Sequence, residues 1–306
     1  MSRRVLAVTG ANGFVGAHVA ALAAEAGAEV WAIAREDAPR PELAPYASRY
    51  YQADLAEEWP APEGPTAVVH LAGLAAVGPS FDRPQEYLTV NSAIMTTMSE
   101  SLRTATTAPR VVVVSTGAVY SPPDGEGGVS EDDPLVPGSP YAVAKILVET
   151  QADYYARRGL DTVVARPFNH IGPGQSPGFL VPDLALAIES APSGTAVQVG
   201  NIDAARDFTD VRDVARAYLL LAFADDHRHH VYNVASGEAH SGREILEEIA
   251  RGLGRDVPPL EVDPARLRPN DPARIVGDAS RLRSEFGWQP TIGWRRSIED
   301  FLAARA

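Results

Sequence analysis

Tyr141 and Lys145 stand four residues apart, a spacing that sets both side chains on one face of a helix. A phenol has an unperturbed pKa of about 10, and a neighbouring ammonium favours the phenolate and lowers that value. A tyrosine so placed can exchange a proton with a hydroxyl or carbonyl of a bound substrate. The same spacing is common on amphipathic helix surfaces, so the weight comes from what precedes it. Ser115 and Thr116 close the apolar run Arg110–Ser115. If that run is a strand of an open α/β sheet, its carboxyl end is where ligands sit, and the Thr116 hydroxyl can hold a substrate oxygen beside the tyrosine. The plainer alternative for Ser115-Thr116 is capping of a strand end.

A second group of residues supplies the partner for such a proton transfer. Thr9-Gly10-Ala11-Asn12-Gly13-Phe14-Val15-Gly16 follows the apolar run Val5–Thr9 and opens a helical pattern, with the spacing G-x-x-G-x-x-G rather than G-x-G-x-x-G. Such a turn brings a pyrophosphate close to backbone N–H groups at a helix N-terminus. Glycines there could serve packing alone, but their place directly after the first strand favours a dinucleotide. Hydride could then pass to or from a nicotinamide while Tyr141 moves the proton. Lys145 can also hold the nicotinamide ribose, and the positive charge of an oxidised ring adds to the lowering expected at Tyr141. The second apolar run ends in Ile33-Ala34-Arg35, with no acid before Glu36. An arginine there can meet a 2′-phosphate, so NADP(H) is preferred and NAD(H) is possible. The alternative leaves Arg35 in solvent and gives the ribose to Glu36 or Asp37. Asp54 and Leu55, after a short third strand, suit contact with the adenine.

The elements that must position these groups alternate. Val5–Thr9, Glu29–Ala34, Ala67–Leu71, Arg110–Ser115 and Thr162–Arg166 read as strands, and Gly13–Ala26, Pro84–Thr104 and Tyr141–Arg158 as helices. Fully apolar strands alternating with helices imply a parallel sheet covered on both faces, a Rossmann-type doubly wound α/β fold. Past Pro167 the texture changes. Gly172, Pro173, Gly174, Pro177 and Gly178 cluster in one loop and shorter elements follow. The expected division is a dinucleotide-binding domain over 1–166, with 207–235 returning to it at a strand Val231–Val234, and a smaller lobe from 167–206 and 236–306. Asp124–Gly128 reads as a surface turn and Asp256–Pro272 as an extended connection.

The chain has 306 residues, 45% of them hydrophobic, and a formal net charge of -13. So acidic a protein is a poor partner for nucleic acid or anionic lipid, and its phosphate binding must come from a few local arginines and backbone amides. Without cysteine, thiolate catalysis, disulfides and Cys-ligated zinc are excluded. The start of the chain has no signal-peptide layout and no apolar run is long enough to span a bilayer, so a cytoplasmic enzyme is expected. His227, His229 and His230, near Asp225 and Asp226, read as a solvated loop rather than a metal site. The four tryptophans read as packing.

The motifs together resemble the extended short-chain dehydrogenase/reductases, the NAD-dependent epimerase/dehydratase family. They are T-G-x-x-G-x-x-G at 9–16, His70-Leu71-Ala72-Gly73, Ser115-Thr116-Gly117-Ala118-Val119-Tyr120 and Tyr141-Ala142-Val143-Ala144-Lys145. The resemblance covers essentially the whole chain. It implies a triad of Thr116, Tyr141 and Lys145. It implies a cofactor site of Gly10, Asn12, Gly13, Phe14, Val15, Arg35, Asp54, Leu55, Leu71, Ala72, Gly73, Tyr141, Lys145 and Pro167. It also implies a homodimer built on the helices near 84–104 and 141–158. The second half, with Ala165-Arg166-Pro167-Phe168-Asn169-His170-Ile171-Gly172-Pro173-Gly174-Gln175, a loop at 200–208 and Arg268-Pro269-Asn270-Asp271, is similar to GDP-mannose 4,6-dehydratases and GDP-4-keto-6-deoxymannose reductases. That resemblance implies a nucleotide-sugar site in which Arg206 and Arg268 clasp the diphosphate, Asn169 binds a diphosphate oxygen and Asp271 the nucleotide ribose, with Thr116, Val181 and Val199 completing it. For a lone arginine the plainer fate is a surface salt bridge.

One departure separates the relatives. The dehydratases carry a carboxylate two residues after the catalytic threonine, where this chain has Ala118, and a methyl group moves no protons. The absent cysteine likewise counts against a 3,5-epimerase/reductase. The expected activity is therefore NADP(H)-dependent reduction of a nucleotide-activated 4-keto-6-deoxyhexose at C4, GDP-linked by preference. The alternative is an NDP-sugar 4-epimerase with tightly held NAD. A cofactor-sensing regulator on the same scaffold would have no need of the triad.

Overall fold

The computed structural model describes residues 4–61, 63–121, 127–192, 194–267 and 272–305. Its centre is a seven-stranded sheet. The first strands are β1 (Val5–Thr9), β2 (Glu29–Ala34) and β3 (Arg49–Gln52), with α1 (Phe14–Glu25) between β1 and β2. Then come β4 (Ala67–His70), α2 (Val77–Asp82), α3 (Pro84–Leu102), β5 (Arg110–Val114), α4 (Pro140–Ala156) and β6 (Thr162–Pro167). Past β6 the chain forms β7 (Asn169–Ile171), α5 (Leu180–Ser190), β8 (Val197–Val199), β9 (Ala205–Asp210), α6 (Val211–Phe223) and β10 (Val231–Val234). It ends with β11 (Ala239–Ser241), α7 (Gly242–Gly252), β12 (Leu260–Val262), β13 (Arg274–Ile275), α8 (Ser280–Phe286) and α9 (Trp294–Ala303).

The large sheet has the order β10-β6-β5-β4-β1-β2-β3, and its neighbours pair in parallel throughout. Alternate strand residues explain why both faces are apolar. Leu6, Val8, Val69, Val112 and Val114 join Val19 and Ala23 of α1 and Val214 and Leu221 of α6 in one core. Ala7, Val68, Val111 and Val113 join Met95 and Met98 of α3 and Val148 and Ala152 of α4 in the other. The chain order reverses between β1 and β4, and the crevice at such a switch point is where open α/β sheets take ligands. The doubly wound α/β reading of the sequence therefore holds.

The smaller sheets lie beyond β6. β9 pairs with β11, β13 and β7, and the chain re-enters the layers of the large sheet at α6. A third core, with Ile171, Val181, Leu184, Val199, Phe208, Ile245 and Phe301, fills this lobe. Two local expectations change. The segment read as an extended connection over 256–272 contains β12, which pairs in parallel with β8, a partner so far back in the chain that no local pattern reveals it. The short helix α2 has no counterpart in the sequence reading. Of the expected turn at Asp124–Gly128, residues 124–126 lie outside the described residues. Among the described residues no helix is long and apolar enough to cross a membrane, and the four tryptophans are buried.

Candidate active site

The floor of the site is the meeting of β1, β4 and α1. Gly10 adopts φ +65°, and a Cβ on it would lie 3.0 Å from the Ala72 backbone nitrogen, so the two turns approach as closely as glycine allows. Gly13 is the N-cap of α1 and supplies no capping side chain, and no acid occupies the first helical turn. With no side chain capping this first turn, the positive end of the helix dipole lies beside exposed Gly13, a fit for the phosphates of a dinucleotide. Thr9 Oγ1 accepts from the backbone N–H groups of Leu71 and Ala72, both at 3.1 Å, and lies 2.9 Å from His70 Nδ1. With two donors directed at its oxygen, the Thr9 proton goes to His70, which sets the ring as its Nε2–H tautomer. Burial, reinforced by the Lys145 ammonium, pushes His70 down to about 3, so the ring stays neutral.

Asn12 is 5% exposed. Its Nδ2 lies within 3.2 Å of Glu36 Oε2, the Ala38 carbonyl and the Tyr50 hydroxyl, and its Oδ1 accepts from the Arg40 N–H. The amide is committed to holding the loop after β2 against the glycine turn. Arg35 is exposed at the end of β2, and its carbonyl accepts from Gln52. Asp54 is exposed and caps its own turn through the Ala56 N–H. Leu55 packs into the core with Trp31 and Ile33, so it can offer an adenine only its backbone. Val15 and Phe14 are half-buried at the start of α1, where Phe14 stacks on His170 with centroids 6.0 Å apart.

The structure brings the three chemistry-bearing side chains to the carboxyl end of β5. Tyr141 is in the first turn of α4, which Ser139 caps through the Ala142 N–H. Lys145 follows one turn later, and the two are 8% and 7% exposed. Thr116 caps a 3-10 turn through the Ala118 N–H at 3.1 Å, and its hydroxyl is near enough to the Tyr141 phenol to favour the phenolate. The capping and the catalytic readings of Thr116 are therefore compatible.

The expected lowering of the phenol by Lys145 is not found. Burial pushes Tyr141 up to about 12, with the nearby Thr116 hydroxyl opposing it. The reason is geometric: the Lys145 ammonium is directed at the Val114 carbonyl, 2.9 Å away. Burial pulls Lys145 itself down to about 8, and the Glu149 charge one turn on opposes this. The protein's own groups keep the phenol protonated, which suits a proton donor.

On the lobe side the expected residues are less closely gathered. Pro167 ends β6, and Asn169, exposed, begins β7. Arg206 lies half-buried on β9 and donates to the Ala205 carbonyl at 2.8 Å. Val181 and Val199 are 0% and 2% exposed and belong to the lobe core, so their side chains are not presented to a ligand and only their backbone could be. Arg268 and Asp271 lie outside the described residues. Of the histidines at 227–230, His227 is bonded to Asp161 at 3.0 Å and to the His229 carbonyl.

Several supporting residues carry no signal of their role in the sequence. Arg166 forms a buried bidentate pair with Glu149, at 3.0 and 2.7 Å, and donates to Tyr120, whose hydroxyl donates to Asn233. Asp207 accepts from Ser236, Gly237 and Gly277, drawing the small sheet onto the end of β10. Arg166 and Tyr120 lie inside the quoted motifs, but their partners come from distant segments.

Residues 6–235 match the NAD dependent epimerase/dehydratase family. The chain is 34% identical to the GDP-6-deoxy-D-mannose reductase of Pseudomonas aeruginosa, over 99% of this chain and 97% of that protein. Among solved structures it is similar to RMD from Pseudomonas aeruginosa complexed with NADPH, at 31% identity, 98% of both chains and a TM-score of 0.82. It is also similar to the UDP-glucose 4-epimerase of Thermus thermophilus in complex with NAD, at 30% identity, 98% of both chains and a TM-score of 0.84. The chain belongs to the NAD dependent epimerase/dehydratase family.

Proposed function

We propose that this family member reduces a nucleotide-activated 4-keto-6-deoxyhexose, GDP-linked by preference, at C4 with NADP(H). Tyr141 gives its proton to the carbonyl oxygen, which the Thr116 hydroxyl holds in place. Lys145 holds the nicotinamide ribose. Gly10, Gly13, Phe14 and Val15 take the pyrophosphate, and Leu71, Ala72, Gly73 and Pro167 line the nicotinamide side. The bound dinucleotide supplies the hydride. Arg206 and Arg268 clasp the diphosphate, Asn169 binds one of its oxygens and Asp271 takes the nucleotide ribose, in a lobe formed by 167–206 and 236–306.

The observation that carries this reading is the surroundings of Thr116. A Cβ on Gly117 would lie 2.9 Å from the Phe168 ring, so no acid fits there, and the next residue is exposed Ala118. Ala118, two residues after Thr116, has no carboxyl group to draw a proton from C5, which supports reduction over dehydration. The identity to the Pseudomonas reductase over nearly the whole chain supports it further. Likeness to the NAD-bound epimerase favours a second reading, 4-epimerisation with retained NAD, which uses the same three residues. An exposed stripe of Val143, Leu147 and Tyr154 on α4 supports a homodimer through α3 and α4.

The test is to purify the protein by gel filtration and assay it. Reduction of GDP-4-keto-6-deoxymannose that depends on added NADPH is expected. A nicotinamide that co-purifies, with interconversion of UDP-glucose and UDP-galactose without added cofactor, would establish the epimerase reading instead.

A further inference from the structure

Tyr141 sits in the first turn of α4, where a long ring projects beyond the helix and depends on its neighbours for a fixed position. Its small apolar cluster contains Tyr87 of α3 and Ala144, with Leu74, Val77 and Leu88 packed against them. The rings of Tyr87 and Tyr141 meet edge to face, with centroids 6.4 Å apart and planes at 86°, within the favourable range for aromatic pairs. Tyr87 is itself immobilised. It is 2% exposed, and its hydroxyl donates to the Ala76 carbonyl at 2.6 Å. The segment that carries Ala76 is fixed in turn by Asn91, one turn along α3, which accepts from the Leu74 N–H at 2.8 Å and donates to the Leu74 carbonyl at 3.2 Å. A continuous set of contacts therefore runs from α3, through residues 74–76, to the ring that carries the reacting hydroxyl.

We propose that Tyr87 is a positioning residue, whose ring holds the Tyr141 phenol where it can hydrogen-bond Thr116 and reach the substrate oxygen. This rests on the reading of Tyr141 as proton donor. Misplacing a reacting group by about 1 Å can cost about a hundredfold in rate. The contacts of Tyr87 described above are with Ala76 and with the cluster around Tyr141, so its removal should act on the chemical step and spare binding.

The test uses Tyr87→Leu, which removes the ring, and Tyr87→Phe, which keeps the ring and loses only the bond to Ala76. Each is assayed on the reaction that the wild type performs, and each is crystallised. In Tyr87→Leu, kcat should fall about ten- to a hundredfold with both KM values within about twofold, and the Tyr141 hydroxyl should leave hydrogen-bonding reach of Thr116. Tyr87→Phe should restore kcat to within about threefold and return the hydroxyl. The proposal is overturned if Tyr87→Leu keeps its kcat with Tyr141 in place, or if kcat and KM fail together. Should the leucine variant not fold, a tenfold loss in a well-folded Tyr87→Phe overturns it equally. If the wild type turns over neither GDP-4-keto-6-deoxymannose nor UDP-glucose, the proposed function fails, while the position of Tyr141 in the variant structures still decides the role of Tyr87.

Discussion

On the large-sheet side of the site, Tyr141, Lys145, His70 and Asn12 are buried, the last three each tied to a neighbour by a hydrogen bond and Tyr141 held edge to face against Tyr87. On the lobe side, Asn169 is exposed at the start of a three-residue strand, and Arg206 is half-buried on β9. The first side rests on continuous strands sandwiched between helices, the second on short strands around a smaller core. A group that must give a proton along one direction gains from rigid surroundings. A group that only grips a diphosphate tolerates a looser mount, because attraction between charges falls off only inversely with distance. Damage to the first side should therefore appear in kcat, and damage to the second in KM.

The largest effect expected from breaking this contrast is at the proton donor. Tyr141→Phe should lower kcat by on the order of 10²- to 10⁴-fold and leave the cofactor dissociation constant nearly unchanged, measured by fluorescence titration. Retained turnover would place the donor elsewhere. Next is Arg206→Ala, which should raise the KM for the nucleotide sugar about ten- to a hundredfold, the value of a hydrogen bond to a charged group, with kcat little altered. A fall in kcat alone would erase the distinction between the sides. The pH profile then sharpens the large-sheet side. Lys145, lowered to about 8 by burial, is protonated below that value and neutral above it. With Tyr141 protonated throughout, kcat for reduction should be level below about pH 8 and fall about tenfold per unit above it. A level profile to about pH 10 would show that the ammonium is not needed. The smallest effect expected is at the cofactor rim, where Arg35→Ala should weaken NADPH about tenfold and NADH hardly at all. Equal losses would remove the 2′-phosphate role.

The same contrast explains what could be read from the sequence. Gly10, Gly13, Tyr141 and Lys145 are legible because their meaning is local: a positive φ, a helix start, a separation of one helical turn. The apolar strands of the large sheet are legible because burial on both faces leaves uninterrupted runs. What escapes such a reading depends on distant partners. Nothing near Asn12 announces Glu36, Ala38 and Tyr50, and nothing near Leu260–Val262 announces β8. The direction of the Lys145 ammonium, toward Val114 rather than the phenol, follows from the packing of α4 on β5 and not from the four-residue spacing. Resemblance places Val181 and Val199 at the ligand, whereas their apolar side chains complete the lobe core.

The central claim, that Tyr141 and a dinucleotide together reduce a sugar carbonyl at C4, is tested most directly with NADPH carrying deuterium at its transferable position. Incubation with GDP-4-keto-6-deoxymannose should place one deuterium at C4 of the product for each NADPH consumed, and Tyr141→Phe should do so on the order of 10²- to 10⁴-fold more slowly. A sugar product without deuterium at C4, formed while the added NADPH stays intact, would contradict the account.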